Sequence, residues 1–383
     1  MKIGILTQPL HNNYGGLLQN YALQQVLKGM GHEVETVDWM AEYSWLRQKL
    51  SHTKCTLLSY INKNIEKPRY KPTAQEFAVL SKNTHRFVER YLSVCPQKVA
   101  HQEEFRAVDR QQGYDAYIVG SDQVWRPCYN PFLSSMFLDF TDRENVKRIA
   151  YAASFGTSAW EFTPQMKEVC ARLAKRFDLI TVREESGVNL CCEHLGVEAT
   201  HVLDPTMLLN REDYEKVVLA ENEPKSSGTL FHYILDPSDE KRTLIERLAT
   251  EQGLQPFTIL PKCQAENRTK WDVKNRIEDC VFPSVTSWLR GFMDAKMVVV
   301  DSFHGAVFSI IFNKPFWVIA NNKRGNTRFD SLLKVCGLED RLITTDTFND
   351  DFCWNKTIDW DKIIIILRKE IVRCITLLEE SLK

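Results

Sequence analysis

The sequence predicts an α/β protein made of two doubly wound parallel-sheet domains that face each other across a cleft. Short apolar runs alternate with helical segments up to about residue 210, and the alternation begins again after a polar, Glu-rich linker. Parallel strands need a long crossover connection, usually a helix, so this alternation indicates parallel sheets. The chain's 383 residues also exceed the length at which one hydrophobic core keeps growing. We predict domains at residues 1–210 and 211–383, with the last helix packing back on the first domain.

The N-terminal domain opens with a strand at residues 2–6, a helix at 17–30 and a second strand at 33–37. The polar turn at residues 12–16 contains a Gly-Gly pair, and glycines let the backbone approach a ligand closely. The turn lacks the three-glycine pattern of dinucleotide-binding proteins. A Gly-Gly pair is also common in ordinary turns, so both interpretations stay open.

Residues 43–113 interrupt the alternation with helical segments rich in basic and aromatic residues. We interpret them as a basic insertion between two strands. Such a composition suits contact with an anionic lipid surface or a phosphorylated acceptor, while a solvated helical face is the simpler explanation and the one favoured by composition alone. The membrane hypothesis depends on the charges of Lys63, Lys67 and Arg69.

Polar clusters follow the strands predicted at residues 115–119, 148–153, 179–182 and 201–203. The carboxyl ends of parallel strands lie at one edge of a sheet, so we expect these clusters to line one crevice. Helix capping and turn formation explain any single cluster, but not their repetition. In chain order the cluster residues are Ser121, Asp122, Gln123, Trp125, Ser154, Arg183, Glu184 and Asp204.

The strongest site candidate lies between a buried β-branched strand at residues 297–300 and an apolar helix at 306–312. The turn between them contains Ser302, His304 and Gly305. Helix N-termini offer free N–H groups to anions, so the turn favours a negatively charged substrate beside His304. The alternative is that the serine caps the helix and the histidine is a structural hydrogen-bonding group.

Composition argues against several classes of protein. A formal net charge of -1 is not that of a general nucleic-acid binder. The 11 cysteines are scattered without a Cys-x-x-Cys pair, which indicates neither a zinc site nor a disulfide framework. The first residues are typical of a strand rather than a signal peptide, and no stretch reaches the roughly 20 apolar residues of a membrane span. We expect a cytoplasmic protein with reduced thiols.

Taken in order, the clusters resemble the motifs of the polysaccharide pyruvyl transferase family over almost the whole chain, apart from the basic insertion. Members of that family have a GT-B-like fold, with two Rossmann-like domains facing a cleft, and transfer pyruvate from phosphoenolpyruvate to a sugar as a ketal. The resemblance implies the same fold and reaction here. The matching segments are NYGG with LQNYAL at residues 13–23, VGSDQVW at 119–125, YAASFG at 151–156, VRE at 182–184, LDPT at 203–206 and DSFHG at 301–305.

This chemistry suggests roles for three residues. Arg183 suits the donor's carboxylate or phosphate, because a guanidinium binds either through two parallel bonds. His304 suits proton transfer or stabilisation of the leaving phosphate. Asp122 is a candidate base for the acceptor hydroxyl, and its alternative role is to cap a helix or to hold neighbouring site residues in place. Further substrate-binding candidates are Asn13, Tyr14, Gly15, Gly16, Ser121, Gln123, Trp125, Ser154, Glu184, Asp204, Ser302, Gly305 and Arg328.

The implied partners are phosphoenolpyruvate, as donor substrate, and a glycan or lipid-linked oligosaccharide acceptor. The product would belong to a bacterial cell-surface polysaccharide such as an exopolysaccharide or capsule, made in the cytoplasm or at the inner face of the membrane. The reaction requires no metal ion and no further cofactor. Two alternatives share the expected fold: a GT-B glycosyltransferase that uses a nucleotide sugar, and a carbohydrate-binding protein without catalysis.

Overall fold

The computed structural model describes residues 1–42, 70, 72–266, 272–320, 327–344 and 352–383. Lys63, Lys67 and Arg69 lie outside the described residues, so the membrane hypothesis that depends on them stays a prediction.

The first parallel sheet is built from residues 2–201. Its strands are β1 (Lys2–Leu6), β2 (Glu33–Thr36), β3 (Ala116–Val119), β4 (Lys147–Ala153), β5 (Leu179–Val182) and β6 (Thr200–His201). They pair in the order β2-β1-β3-β4-β5-β6, and every pair is parallel. All four residues of β3 are buried, as expected for a strand covered by helices on both faces of the sheet.

The second parallel sheet repeats this winding in residues 230–343. Its strands are β7 (Leu230–Tyr233), β8 (Pro256–Phe257), β9 (Met297–Val300), β10 (Phe316–Ile319) and β11 (Leu342–Ile343), in the order β11-β10-β9-β7-β8. In both sheets the first strand has the second on one side and the third on the other. This order is that of a doubly wound α/β sheet, which confirms the predicted fold class of two Rossmann-like units in a GT-B-like protein.

Helices connect the strands and pack on the faces of the sheets. In chain order they are α1 (Tyr14–Gly29), α2 (Ala74–Leu80), α3 (Lys82–Tyr91), α4 (Glu104–Gln112), α5 (Pro164–Ala174), α6 (Glu185–Leu190), α7 (Arg211–Ala220), α8 (Asp239–Gln252), α9 (Lys262–Glu266), α10 (Val273–Arg276), α11 (Val285–Asp294), α12 (Phe303–Ile311), α13 (Thr327–Cys336) and α14 (Trp360–Ser381).

Two helices begin earlier than the sequence pattern predicted, and both begin with a side-chain cap. Helix α1 begins at Tyr14 rather than at residue 17, because the Asn13 side chain accepts a hydrogen bond from the backbone N–H of Gly16. Helix α12 begins at Phe303 rather than at residue 306, because Ser302 caps it in the same way. Both glycine-containing segments predicted as turns are therefore first turns of helices.

One apolar cluster runs through both halves of the protein and joins them. The ring of Tyr14, at the start of α1, stacks on Trp288 of α11 with a centroid distance of 5.7 Å. Tyr214 of α7 meets Phe308 of α12 edge to face at 4.9 Å. Buried aromatic pairs of this kind add to the hydrophobic gain from burial, so part of the interface between the two sheets is packed core.

The terminal helix α14 lies against the end of the first sheet. The backbone N–H of Leu203 donates to Cys374 Sγ at 3.4 Å, and Arg373 donates to the carbonyl of His201 at 2.9 Å. Leu378 on the same helix is fully buried. The helix thus links the C-terminal end of the chain to the edge of the first sheet.

Candidate functional site

A pocket lies where the switch points of the two sheets face each other. In a doubly wound sheet the crevice for a ligand forms beside the strand at which the winding changes direction, here between β1 and β3 and between β7 and β9. The segments that follow these four strands all reach the pocket. Its lining residues are Asn13, Gly15, Asp122, Gln123 and Tyr129 from the first half, with Tyr233, Leu235, Trp288, Asp301, Ser302, Phe303, His304 and Arg328 from the second.

The pocket is suited to anions, because positive charge reaches it from both halves. The N-terminal turns of α1, capped by Asn13, and of α12, capped by Ser302, both border it. Arg328, in the first turn of α13, adds a guanidinium. Burial, reinforced by nearby Arg183, lowers the pKa of Arg328 to about 10, which leaves the group charged at neutral pH. Helix N-termini and a guanidinium are the usual protein ligands of phosphate and carboxylate.

The ring of His304 packs directly on Gly15, across the interface between the halves. A Cβ atom at position 15 would lie 2.0 Å from Nδ1 and 2.2 Å from Cγ of His304, far inside van der Waals contact. On its other side, Nε2 of His304 lies 3.6 Å from Oδ2 of Asp204, beyond hydrogen-bond length but within ion-pair distance. Because position 15 is a glycine, the His304 ring has room to lie beside the Asp204 carboxylate.

Asp204 connects the two halves through charge. Its Oδ2 accepts from Arg183 Nη1 at 2.8 Å and from Ser121 Oγ at 3.1 Å, while Oδ1 accepts from the N–H and hydroxyl of Thr206. Burial alone would raise the pKa of Asp204, but His304 and Arg183 hold it far below its ordinary value. The group is therefore a carboxylate throughout the neutral range, and it orients the His304 ring.

Arg183 does not line the pocket, which changes the role that the sequence suggested for it. Its guanidinium donates to Asp204 and, at 3.2 Å, to Asp122, and it lies over the ring of Phe303 at 4.3 Å from the centroid. Its side chain is only 1% exposed. Its hydrogen bonds are thus made within the protein, and the guanidinium that lines the pocket is that of Arg328.

Asp122 lines the pocket and accepts from the side-chain amide of Asn13 at 3.3 Å. Burial acts to raise its pKa, but Arg183, followed by His304 and Arg328, holds the pKa below its ordinary value. A carboxylate stabilised in this way is a weak proton acceptor. The geometry thus favours the alternative left open from the sequence, in which this residue anchors its neighbours rather than removing a proton.

Two aromatic candidates belong to the core instead of the pocket. Trp125 is fully buried, donates from Nε1 to the carbonyl of Met136 at 3.0 Å, and stacks on Phe137 at 4.7 Å. Tyr14 donates from its hydroxyl to the carbonyl of Pro283 at 3.0 Å. Both indole and phenol thus have partners inside the protein, which removes them from the predicted substrate-binding set.

The remaining candidates do not line the pocket, and their contacts stabilise segments next to it. Ser154 Oγ donates to Glu184, and burial raises the pKa of that carboxyl although Arg183 opposes the shift. A Cβ at Gly305 would lie 2.6 Å from Ser302 Oγ, so the capped turn of α12 requires this glycine. Gly16 donates its N–H to the cap of α1.

Several lining residues were not predicted from the sequence. Tyr233 is the last residue of β7, and Leu235 lies two residues beyond it. Both are at the end of a strand, but the prediction considered only polar residues at strand ends and therefore missed them. Asp301 accepts from Leu235 N–H at 2.6 Å and from Lys241 Nζ at 2.7 Å, which fixes the loop after β7 beside β9. Tyr129 lies in a loop where no periodic pattern marks it.

Fold and pocket together define a two-sheet α/β protein with a crevice between its halves that is suited to anions. Residues 13–323 match the sequence model of the family described as polysaccharide pyruvyl transferase. The chain belongs to this family, which makes it a transferase of a family that modifies glycans. No curated protein sequence matches the chain.

Solved structures resemble the chain along its length at low sequence identity. UDP-GlcNAc 2-epimerase from Neisseria meningitidis, bound to UDP-GlcNAc, is 11% identical, covers 100% of this chain and 99% of its own, and has a TM-score of 0.48. The epimerase from Methanocaldococcus jannaschii, in complex with UDP-GlcNAc and UDP, is 11% identical, with 97% and 93% covered and a TM-score of 0.47. UGT89C1 from Arabidopsis thaliana, complexed with UDP-L-rhamnose, is 10% identical, with 99% and 93% covered and a TM-score of 0.46.

Within the described ranges, no helix combines the length and apolar character needed to cross a bilayer.

Gly15→Ala should displace His304, because the added methyl group occupies the space of the imidazole. We expect about 1–3 kcal/mol of destabilisation from overpacking and a loss of transferase turnover that exceeds the loss of folded protein. Thermal unfolding and turnover measure the two effects. Gly29→Ala is the matched control in the same helix, where a Cβ meets no atom within 4 Å and stability should be unchanged or raised. Equal turnover in the two variants would contradict the packing argument.

Asp204→Asn should destabilise the protein by up to about 3–5 kcal/mol at pH 7, because it removes one of the two buried carboxylates that accept hydrogen bonds from Arg183. The native pKa of Asp204 lies below the unfolded value of about 3.9, so its contribution is complete above that pH and declines as pH falls. The difference in urea stability between wild type and variant should therefore shrink below about pH 4.

The control for that comparison is Asp142→Asn. Asp142 is 81% exposed and lies 3.7 Å from Arg176, so its removal should change stability by less than about 0.5 kcal/mol. A pH-independent difference between wild type and Asp204→Asn would refute the buried ion pair as its source.

Proposed function

We propose that this protein transfers the pyruvyl group of phosphoenolpyruvate to two hydroxyls of a sugar, forming a ketal. The observation that carries the proposal is the pocket itself, where two helix N-termini, Arg328 and His304 converge from both sheets. Phosphoenolpyruvate has a phosphate and a carboxylate, and both need such donors. Membership of the family supports the same donor.

The reaction needs a proton at one carbon and the departure of phosphate from its neighbour. A proton added to the methylene carbon converts it to a methyl group, and the first sugar hydroxyl bonds to C2 and loses its proton. The bond between C2 and the phosphate oxygen then breaks, and phosphate leaves with the electron pair. The second hydroxyl closes the ketal and loses its proton. The two sugar hydroxyls release two protons in total. One of them makes up for the proton added to the methylene carbon, and the departing phosphate carries the other.

In this scheme Arg328 and the two helix N-termini hold the donor's anionic groups. His304 delivers the proton to the methylene carbon or to the departing phosphate, because an imidazole can act as a general acid. Asp204 orients its ring, and Arg183 keeps Asp204 and Asp122 in place without touching the donor. Positioning of this kind supplies much of the rate in group transfer.

The acceptor is a glycan of a cell-surface polysaccharide or its lipid-linked precursor, and the reaction takes place in the cytoplasm or at the inner face of the membrane. These parts of the proposal rest on the family's name and on the sequence resemblance. The basic insertion, if it meets the anionic phosphate of a lipid carrier, would bring such an acceptor to the pocket.

Product analysis tests the reaction directly. Wild-type protein incubated with phosphoenolpyruvate and a panel of galactose- and mannose-type acceptors should release inorganic phosphate and yield a glycan heavier by one pyruvate ketal. Calorimetry with phosphoenolpyruvate and with UDP provides the comparison. Binding of UDP without phosphate release from phosphoenolpyruvate would favour a nucleotide-sugar glycosyltransferase and reject the proposal.

His304→Ala should lower turnover by on the order of a hundredfold or more, as is typical of lost general-acid catalysis. Donor affinity should change less, because Arg328 and the helix N-termini remain. Turnover and calorimetric affinity for phosphoenolpyruvate separate the two effects. His85→Ala is the control, since that histidine is 58% exposed on α3 and lies 3.2 Å from Glu89. Near-wild-type turnover in folded His304→Ala would remove the histidine from the mechanism.

A further inference from the structure

An exposed tyrosine forms part of the pocket wall. Tyr129 is 47% exposed, and it is the one aromatic residue among the exposed large hydrophobic residues in the described part of the chain. It lines the same pocket as His304 and Arg328. Single exposed apolar residues are normal on protein surfaces, so exposure alone says nothing about function. Its position at the pocket is what requires an explanation.

The backbone of Tyr129 is held in place by the turn that carries it. The Tyr129 N–H donates to the carbonyl of Arg126 at 3.1 Å. Next to it, Asn130 donates from its side chain to the carbonyl of Val124 at 2.9 Å and accepts from Phe132 N–H at 3.0 Å. These bonds close the turn on both sides of the tyrosine, so its backbone is fixed before any ligand arrives.

Arg126 supports the ring from one face. Its guanidinium carbon lies over the Tyr129 ring at 5.2 Å from the centroid. Two bonds of 3.1 Å to Glu161 and one of 3.2 Å to Gln123 hold the guanidinium in turn. The cation therefore packs on one face of the ring.

A flat, pre-positioned aromatic face beside a polar pocket suits one part of a sugar in particular. A pyranose has hydroxyls at its rim and an apolar C–H face, and that face can cover an aromatic ring while the hydroxyls reach polar groups. The tyrosine side chain has few rotatable bonds, so binding to it costs little conformational entropy. The donor, with its two anionic groups, gains nothing from such a surface.

We propose that Tyr129 is the platform on which the acceptor pyranose stacks, with Arg126 as the residue that positions it. The assignment of the sugar as acceptor rests on the proposed function, whereas the stacking itself does not. Because Tyr129 and His304 line one pocket, a sugar on this platform lies beside the residue assigned to proton transfer. Tyr129 would then contribute to acceptor affinity and selectivity, and not to donor binding.

Binding of simple glycosides tests the platform without any reaction. The probes are the methyl pyranosides of galactose, mannose, glucose and N-acetylglucosamine, observed by saturation-transfer NMR and titration with the full chain. Ring C–H protons of at least one glycoside should receive saturation from wild-type protein. Tyr129→Ala should weaken that affinity by about threefold to tenfold, while Tyr129→Phe, which keeps the ring, should retain it. Ile365→Ala removes a 69% exposed side chain elsewhere and should have no effect.

Three results would overturn the platform: no saturation transfer to any of the four glycosides, equal affinity in Tyr129→Ala and wild type, or equal loss in Tyr129→Phe and Tyr129→Ala. Calorimetry with phosphoenolpyruvate should give the same donor affinity in all variants, and a parallel loss there would likewise reject the acceptor-specific role. Failure of the proposed function has a different signature. In that case wild-type protein binds a glycoside through Tyr129 but releases no phosphate from phosphoenolpyruvate.

Discussion

The site depends on one buried carboxylate, Asp204, which is shared between a cation of its own half and a histidine of the other. Arg183 reaches it from β5, and His304 reaches it from α12. A buried charge without partners is strongly unfavourable, so any displacement of the halves that separates these groups is opposed by the cost of an unpaired charge. The contact of Asp204 with His304 therefore orients the imidazole ring and opposes movement of the two sheets relative to each other.

This arrangement explains why the pocket exists only in the assembled protein. Each sheet alone offers one switch point and one capped helix N-terminus, at Asn13 or at Ser302. An isolated helix terminus attracts an anion weakly, because water screens its partial charges. Facing each other across a partly buried crevice, the two termini and Arg328 act on the same small volume. A donor with two anionic groups can then engage both halves at once.

The sequence predicted the fold and seven of the 13 residues that line the pocket, because strand-end clusters follow from the geometry of parallel sheets. It could not divide those residues between pocket and core. Trp125 and Tyr14 lie in the same segments as true lining residues, and only the packing on Phe137 and Trp288 shows that they face inward. The exposed position of Tyr129 depends on a turn closed by side-chain bonds, which leaves no periodic pattern in the sequence.

The exchange of roles between Arg183 and Arg328 follows from charge balance. Asp122 and Asp204 both lie against Arg183, so this guanidinium is already neutralised by two carboxylates before a ligand enters. A third anion at the same group would meet repulsion from both. Arg328 lies at a helix N-terminus, where the dipole of α13 adds to its charge, and burial has already removed much of its water. Arg328 lines the pocket and Arg183 does not, so under the proposed function Arg328 is the arginine that can contact the donor.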